Sequence, residues 1–293
     1  MKLGLGTAQF GLDYGVSNSS GKTSPQEVTR ILRLAASTGI DLIDTAHAYG
    51  DSEVVLGQVL VSGHEFRLVT KIPALCKATL TSEDIEQVRR AVHESLCRLR
   101  QQKVYGLLVH NAEDLLIPGS EKLFDLLLEL KQQGYADRVG VSVYDKAQID
   151  RIIGRFSIDL IQVPLSVLDQ RLVASGHLVQ LRQMGVEVHA RSIFLQGLLL
   201  MHEDQVPVSL SGVRPLLAAL HAVFREHDLT PAAGAIQFVR DLAEVHRMVI
   251  GVNNATQLVE NIDAYQSKRV AIDFSRFACA DERITNPAMW RLH

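Results

Sequence analysis

The chain has 293 residues, 47% hydrophobic and 22% charged, with a formal net charge of -3. That length suits one α/β barrel of roughly 250 residues, and the near-neutral charge gives no ground for nucleic acid or an acidic membrane surface as partner. Three cysteines, Cys76, Cys97 and Cys279, stand far apart without a CxxC pair, which argues against a disulfide framework or zinc site and predicts ordinary buried thiols in a reducing cytoplasm.

The chain opens Met1-Lys2-Leu3-Gly4-Leu5-Gly6, without the apolar run of a signal peptide, and no uninterrupted apolar stretch reaches the ~18 residues of a membrane span. Strand-like runs follow at Lys2–Thr7, Ile40–Thr45, Arg67–Lys71, Val104–His110, Arg138–Tyr144, Leu160–Pro164, Glu187–Ser192 and Met248–Val252. Between them lie amphipathic segments with clear helix starts. Ser24-Pro25-Gln26-Glu27 supplies an N-cap, a proline at the first helical position and a capping-box glutamate. Thr81 precedes Ile85, Val88, Val92 and Leu96 at helical spacing, and Thr230-Pro231 opens a further helix. Strict strand–helix alternation means parallel strands joined by helical crossovers. Eight such units without a composition break predict a single (β/α)8 TIM barrel spanning 1–293, with an extra C-terminal helix or tail from about 268. The open-sheet alternative lacks its fingerprint, because Gly4-Leu5-Gly6-Thr7-Ala8-Gln9 has glutamine at the third glycine.

In such a barrel the chemistry sits at the C-terminal ends of the strands. The second strand ends at Asp44-Thr45, with Tyr49 in the loop beyond. The third ends at Lys71 and the fourth at His110. These four types suit carbonyl reduction. A tyrosine hydroxyl is a proton donor with an ordinary pKa of ~10. A lysine cation beside it stabilises the phenolate and lowers that value. An aspartate holds the lysine, and a neutral histidine orients the carbonyl.

The string Asp44-Thr45-Ala46-His47-Ala48-Tyr49-Gly50-Asp51-Ser52-Glu53 resembles the D-T-A-x-x-Y-G-x-S-E of the aldo-keto reductases. Gly6-Thr7-Ala8-Gln9-Phe10-Gly11 is similar to that family's opening strand and loop, and the resemblance runs from about residue 3 to about 265. It implies a catalytic tetrad of Asp44, Tyr49, Lys71 and His110, with Tyr49 the general acid in reduction and the base in oxidation. It also implies NADPH/NADP+ as cofactor, with NADH the alternative. The cofactor would lie along Gly6, Thr7, Ala8, Asp44, Ser142, Gln162, Arg191, Ser192, Phe194, Leu195, Gln196, Gly197, Gly251, Val252, Asn253, Gln257, Glu260 and Asn261. No resident metal is implied.

Residues 249–261 support this reading, since a helix N-terminus after a strand presents free N–H groups to an anion, and Asn254 with Gln257 reads as its cap. Some positions depart from the family pattern. Gly251 and Gln257 stand where many members have lysine and arginine for the 2′-phosphate. Val143 follows Ser142 where members have asparagine. Arg191 replaces an aromatic ring that stacks on nicotinamide. A guanidinium plane also stacks, and a rim ion pair is the alternative for Arg191.

His47 is a candidate substrate contact, and His189 a satisfied core group. His221, His227 and His246 show no metal-ligand spacing. Substrate choice should come from the loops at 111–120 and 198–212 and from the tail, where Trp290 is expected to reach the pocket. The expected function is reduction of an aldehyde, ketone or sugar-like carbonyl by NAD(P)H in a cytoplasmic monomer or small homo-oligomer. A cofactor-binding sensor barrel with little turnover is the alternative. A Schiff-base aldolase using Lys71 would leave the Asp44–Glu53 string unexplained.

Overall fold

A computed structural model describes residues 1–60 and 63–290. In chain order the elements are β1 (Leu3–Gly6), the turn α1 (Ala8–Gly11), α2 (Pro25–Ser37), β2 (Leu42–Asp44), α3 (Ser52–Val59), β3 (Arg67–Ile72), α4 (Ser82–Leu99) and β4 (Val104–Val109). There follow α5 (Ser120–Gln132), β5 (Ala136–Ser142), α6 (Lys146–Ile153), β6 (Leu160–Pro164), the turn α7 (Arg171–Ala174), α8 (His177–Gln183) and β7 (Glu187–Arg191). The last are α9 (Arg214–Glu226), α10 (Pro231–Arg240), β8 (Arg247–Gly251), α11 (Ala255–Gln266) and the turn α12 (Glu282–Thr285). The strands pair in sequence order, all parallel, and β8 closes on β1 through Leu3↔Met248 to Gly6↔Gly251. This is the (β/α)8 barrel the alternation predicts.

The interior is filled by Leu42, Val69, Leu108, Leu160 and Val249, the packed centre that such a barrel requires. Two glycines make room for it. A Cβ on Gly4 would meet Leu42 Cδ2 at 2.8 Å, and one on Gly106 would meet Leu160 Cδ2 at 2.9 Å. A larger apolar layer lies between strands and helices, where Val28, Ile31, Leu32 and Ala35 of α2 and Ile85, Val88, Val92 and Leu96 of α4 face inward.

The helix starts form as their caps predict. Thr81 and Asp84 make a full capping box, Thr230 accepts from the Ala233 N–H, and Asn254 accepts from the Gln257 N–H. Ser24 accepts from the Glu27 N–H at 3.3 Å. The Glu27 carboxylate, however, does not turn back on its own helix as a capping box requires. It crosses to the Ala255 N–H of α11, 2.7 Å away.

Strand ends differ from the sequence-predicted bounds by one or two residues. The fifth strand starts earlier, at Ala136, and ends at Ser142, which releases Val143 and Tyr144 into the rim. Cys76 and Cys97 are exposed and Cys279 half-buried, not the buried thiols expected, because their positions fall on loops and an outer helix face. Among the described residues no helix is long and apolar enough to cross a membrane.

Candidate active site

At the C-terminal mouth the end of β2 delivers Asp44 into the barrel, 3% exposed. The Lys71 ammonium from β3, 1% exposed, donates to Asp44 Oδ2 at 2.7 Å and to the Thr45 carbonyl at 2.8 Å. Gln162 from β6 donates to the other oxygen, Oδ1, at 2.6 Å. A charge buried this deeply costs several kcal/mol unless it is paired and hydrogen-bonded, and here both conditions hold. Burial still pushes the Lys71 amine below its ordinary range, against the pull of Asp44.

Tyr49 stands on the loop between β2 and α3, which is fixed from both sides. Gly11 lies so close beneath it that a Cβ would collide with the Tyr49 carbonyl, and Gly50 adopts φ +57. Ser52 Oγ bonds the Thr7 carbonyl at 2.9 Å, Thr7 Oγ1 at 2.8 Å and Thr45 Oγ1 at 3.1 Å. Glu53, 1% exposed, accepts from Thr70 Oγ1 at 2.7 Å. The threonine, serine and glutamate of the motif are therefore braces. They hold the Tyr49 loop to β1 and β3, a role the sequence reading left unassigned.

The Tyr49 ring lies with its centroid 5.1 Å from Lys71 Nζ and 5.7 Å from the His110 ring, edge to face. Among the described residues neither the Tyr49 hydroxyl nor the His110 ring has a hydrogen-bond partner, so both keep their capacity for a ligand. Burial, with the charge of Lys71, pushes His110 down to about 4, leaving it neutral at neutral pH. Burial and the Asp44 charge hold the Tyr49 phenol above its ordinary range. The expected lowering by lysine is thus overturned in the free protein. The Lys71 cation is committed to Asp44, and desolvation dominates.

These four side chains form one end of a cavity of about 460 Å³ that continues past β1 and β7 to α11. Of the residues expected along a cofactor, Gly6, Thr7, Ala8, Asp44, Ser142, Gln162, Arg191, Ser192, Phe194, Gln196, Gly197, Gly251, Asn253, Gln257, Glu260 and Asn261 line it. Leu195 and Val252 do not. Their side chains are 0% and 1% exposed and belong to the apolar core. Among the described residues Arg191 makes no ion pair. Its guanidinium lies 4.4 Å from the Tyr144 ring centroid and donates to the Val143 carbonyl at 3.0 Å. The turn beyond it places Ser192, Leu195 and Gln196 in left-handed backbone, with φ of 62, 47 and 55. Such conformations cost on the order of 1–3 kcal/mol each for non-glycine residues and concentrate at ligand clamps. Gln196 also accepts from the Val16 N–H at 3.1 Å, tying the loop after β1 to the loop after β7.

The far end has the features of a ligand site. Asn253 lines the cavity, and its Oδ1 is buried without a hydrogen-bond partner among the described residues. A buried amide oxygen left open in this way implies a polar ligand. With the extended cavity and the helix N-terminus, the residues present fit a dinucleotide, with Asn261 and Glu260 at one end and Tyr49 at the other.

Other expectations resolve differently. His47 turns outward, 3.2 Å from Ser95 Oγ and 3.4 Å from Arg98, and does not line the cavity. His189 is fully buried, with Nε2 2.8 Å from Glu187. The tail does reach the mouth, but through Pro287 and Ala288. Trp290 packs on the core and donates to the Ile284 carbonyl at 3.3 Å, because the α12 turn folds it back. Gln9, Tyr14 and Tyr144 line the cavity and were not foreseen, although Gln9 and Tyr144 adjoin residues that were.

A model of the aldo/keto reductase family matches residues 2–281. A D-threo-aldose 1-dehydrogenase of Pseudomonas sp is 26% identical over 302 residues, covering 88% of this chain and 90% of that protein. An NADH-specific methylglyoxal reductase of Escherichia coli is 29% identical over 226 residues, covering 70% and 68%. Among solved structures, the holo form of an aldo-keto reductase from Bacillus halodurans superposes with a TM-score of 0.76 at 20% identity, covering 96% of this chain and 93% of that one. A glycerol dehydrogenase from Gluconobacter oxydans gives 0.72 at 19%, covering 98% and 92%.

Proposed function

The chain belongs to the aldo/keto reductase family, and from that premise we propose that it reduces an aldehyde, ketone or sugar-like carbonyl to an alcohol with NADPH or NADH, Tyr49 serving as general acid. The observation that carries this reading is the unpartnered Tyr49 hydroxyl, buried beside the Lys71–Asp44 pair and His110 in a cavity that runs on to α11.

The nicotinamide supplies the hydride when bound. Asn261 and Glu260 would hold the adenosine end, and Ser142, with Arg191 against the Tyr144 ring, would border the nicotinamide end. The neutral His110 donates an N–H to the carbonyl oxygen and orients it. The Tyr49 hydroxyl gives its proton to that oxygen as negative charge builds there. Lys71, held cationic by Asp44, faces the ring and stabilises the phenolate that forms. A raised phenol stays protonated throughout the neutral range, which suits the reducing direction. Alcohol oxidation needs the phenolate and is expected to rise with pH.

The test is steady-state oxidation of NADPH and NADH with a panel of aldehydes and sugar carbonyls, run on wild type and Tyr49→Phe, with calorimetric cofactor binding alongside. The expected result is turnover by the wild type and a loss of about 10²-fold or more in the variant, with cofactor affinity retained. A Tyr49→Phe enzyme that keeps most of its turnover removes the mechanism.

A further inference from the structure

The N-terminus of α11 carries the partial positive charge of unsatisfied N–H groups and is the natural seat for an anion on the cavity's far side. In this chain three donors at this end are already answered from within, while the Thr256 N–H of α11 is left open among the described residues. The Asn253 N–H meets Gln257 Oε1 at 2.8 Å, and the Gln257 N–H meets Asn254 Oδ1 at 2.9 Å. The Ala255 N–H meets Glu27 Oε1 at 2.7 Å, a full negative charge delivered by α2 from 228 positions away in the chain. The other Glu27 oxygen accepts from Arg30 at 3.0 Å, but that side chain is 73% exposed and its charge is largely screened.

The cavity wall at this end is made by Gly251, Asn253, Gln257, Glu260 and Asn261, with no lysine or arginine among them. The lysine and arginine that do line the cavity, Lys71 and Arg191, stand beside Tyr49 and Tyr144. At Gly251 even a Cβ would meet the Gln9 carboxamide at 2.5 Å, so Gln9 occupies the space a long cationic side chain there would need.

We infer that Glu27 makes this site select against a 2′-phosphorylated dinucleotide, so that the protein binds NADH in preference to NADPH. The inference rests on the dinucleotide reading of the cavity and runs opposite to the cofactor preference that the family resemblance implies. A 2′-phosphate brought to α11 finds the Ala255 and Gln257 N–H groups taken, the first of them by a carboxylate. A 2′-hydroxyl is neutral and meets no such repulsion, since Glu27 stands behind the cavity wall and acts through its charge. Juxtaposed like charges discriminate strongly between ligands.

The experiment is calorimetric titration of the full chain with NADH and NADPH, for wild type and Glu27→Gln, with 5′-ADP and 2′,5′-ADP as fragments on the wild type. The glutamine keeps the shape of the side chain and removes its charge. The wild type is expected to bind NADH and 5′-ADP about tenfold or more tighter than their 2′-phosphorylated counterparts. Glu27→Gln is expected to recover about tenfold for NADPH and to move NADH by less than about threefold. Equal binding of the two dinucleotides by wild type, or an unchanged ratio in Glu27→Gln, overturns the assignment of Glu27 and leaves the reductase reading standing. Binding of neither dinucleotide overturns both. The fragment pair on wild type tests the preference itself, and the variant alone tests its assignment to Glu27.

Discussion

Two polar clusters of similar composition lie at opposite ends of this barrel. At the C-terminal mouth are Tyr49, His110, Asp44 and Lys71; at the N-terminal end are Tyr105, His189, Glu187 and Arg138. In the lower cluster the hydroxyl, the carboxylate and the cation close on one another, while the His189 Nδ1 is buried without a partner among the described residues and lines no cavity there. The Tyr105 hydroxyl donates to Glu187 at 2.5 Å and accepts from Arg138 at 2.9 Å, and His189 meets the other Glu187 oxygen at 2.8 Å. In the upper cluster the carboxylate and the cation satisfy one another, while the tyrosine hydroxyl and the histidine ring face a cavity. Residue type does not separate the tyrosine proposed as proton donor from the structural one. Spare hydrogen-bonding capacity at an accessible place does, and in this fold that place is the C-terminal face.

The sharpest way to break this comparison is to remove one charge from each cluster. Lys71→Met leaves Asp44 buried and uncompensated, and chemical denaturation is expected to show a loss of about 3–5 kcal/mol. Arg138→Met removes a cation that is 39% exposed, and the same measurement should show about 1 kcal/mol or less. Comparable losses would mean that the two clusters do not differ in burial as described.

The hydroxyl pair comes next. Tyr49→Phe should lose turnover as stated above. Tyr105→Phe should keep turnover within about threefold while losing about 1–3 kcal/mol of stability, because it leaves polar partners unsatisfied. Equal catalytic losses in both variants would erase the functional distinction.

Acid titration sharpens the contrast. His110 is depressed from its ordinary ~6.5 to about 4, so its share of stability is full above ~6.5 and lost as pH falls through about 4. Burial works to raise Glu187, but hydrogen bonds from His189 and Tyr105 and the charge of Arg138 outweigh it and push the carboxyl down to about 2. Its share is full above the ordinary ~4.3 and lost as pH falls through about 2. In each window the unfolded chain binds more protons, so stability drops with falling pH. Urea melts across pH should show the upper slope flattened in His110→Gln and the lower slope flattened in Glu187→Gln. The smallest effect is expected at His47, which points away from the mouth. His47→Ala should leave KM within about twofold, and a larger rise would return His47 to the substrate site.

Much of the mouth was legible in the sequence because its signal is local. Asp44 and Tyr49 lie five positions apart on one strand end and loop, and Lys71 and His110 close the next two strands. Leu195 and Val252, expected along the cofactor for the same reason, lie outside the cavity wall. They sit between true lining residues, and neither motif nor spacing shows that a turn with Gln196 at φ 55 rotates a neighbour into the core. Glu27 was read correctly as a helix-start residue and wrongly as a partner of its own helix. The competing donor, the Ala255 N–H, is far along the chain and becomes a neighbour only when α11 packs on α2.

The sequence by itself determined the order of strands and helices, their caps, and the four residue types that meet at the barrel mouth. All of these are fixed by side-chain periodicity and by steric and hydrogen-bonding preferences over a few residues. Tertiary structure alone decided which tyrosine keeps a free hydroxyl, which charges cancel, and which carboxylate meets the Ala255 N–H of α11. Each of those outcomes depends on distances between distant strands and helices. Tyr105 and Glu187 are 82 positions apart, and Gln162 and Asp44 are 118 apart. Whether a buried polar group is satisfied is settled only when closure of the barrel brings its partner within hydrogen-bonding reach.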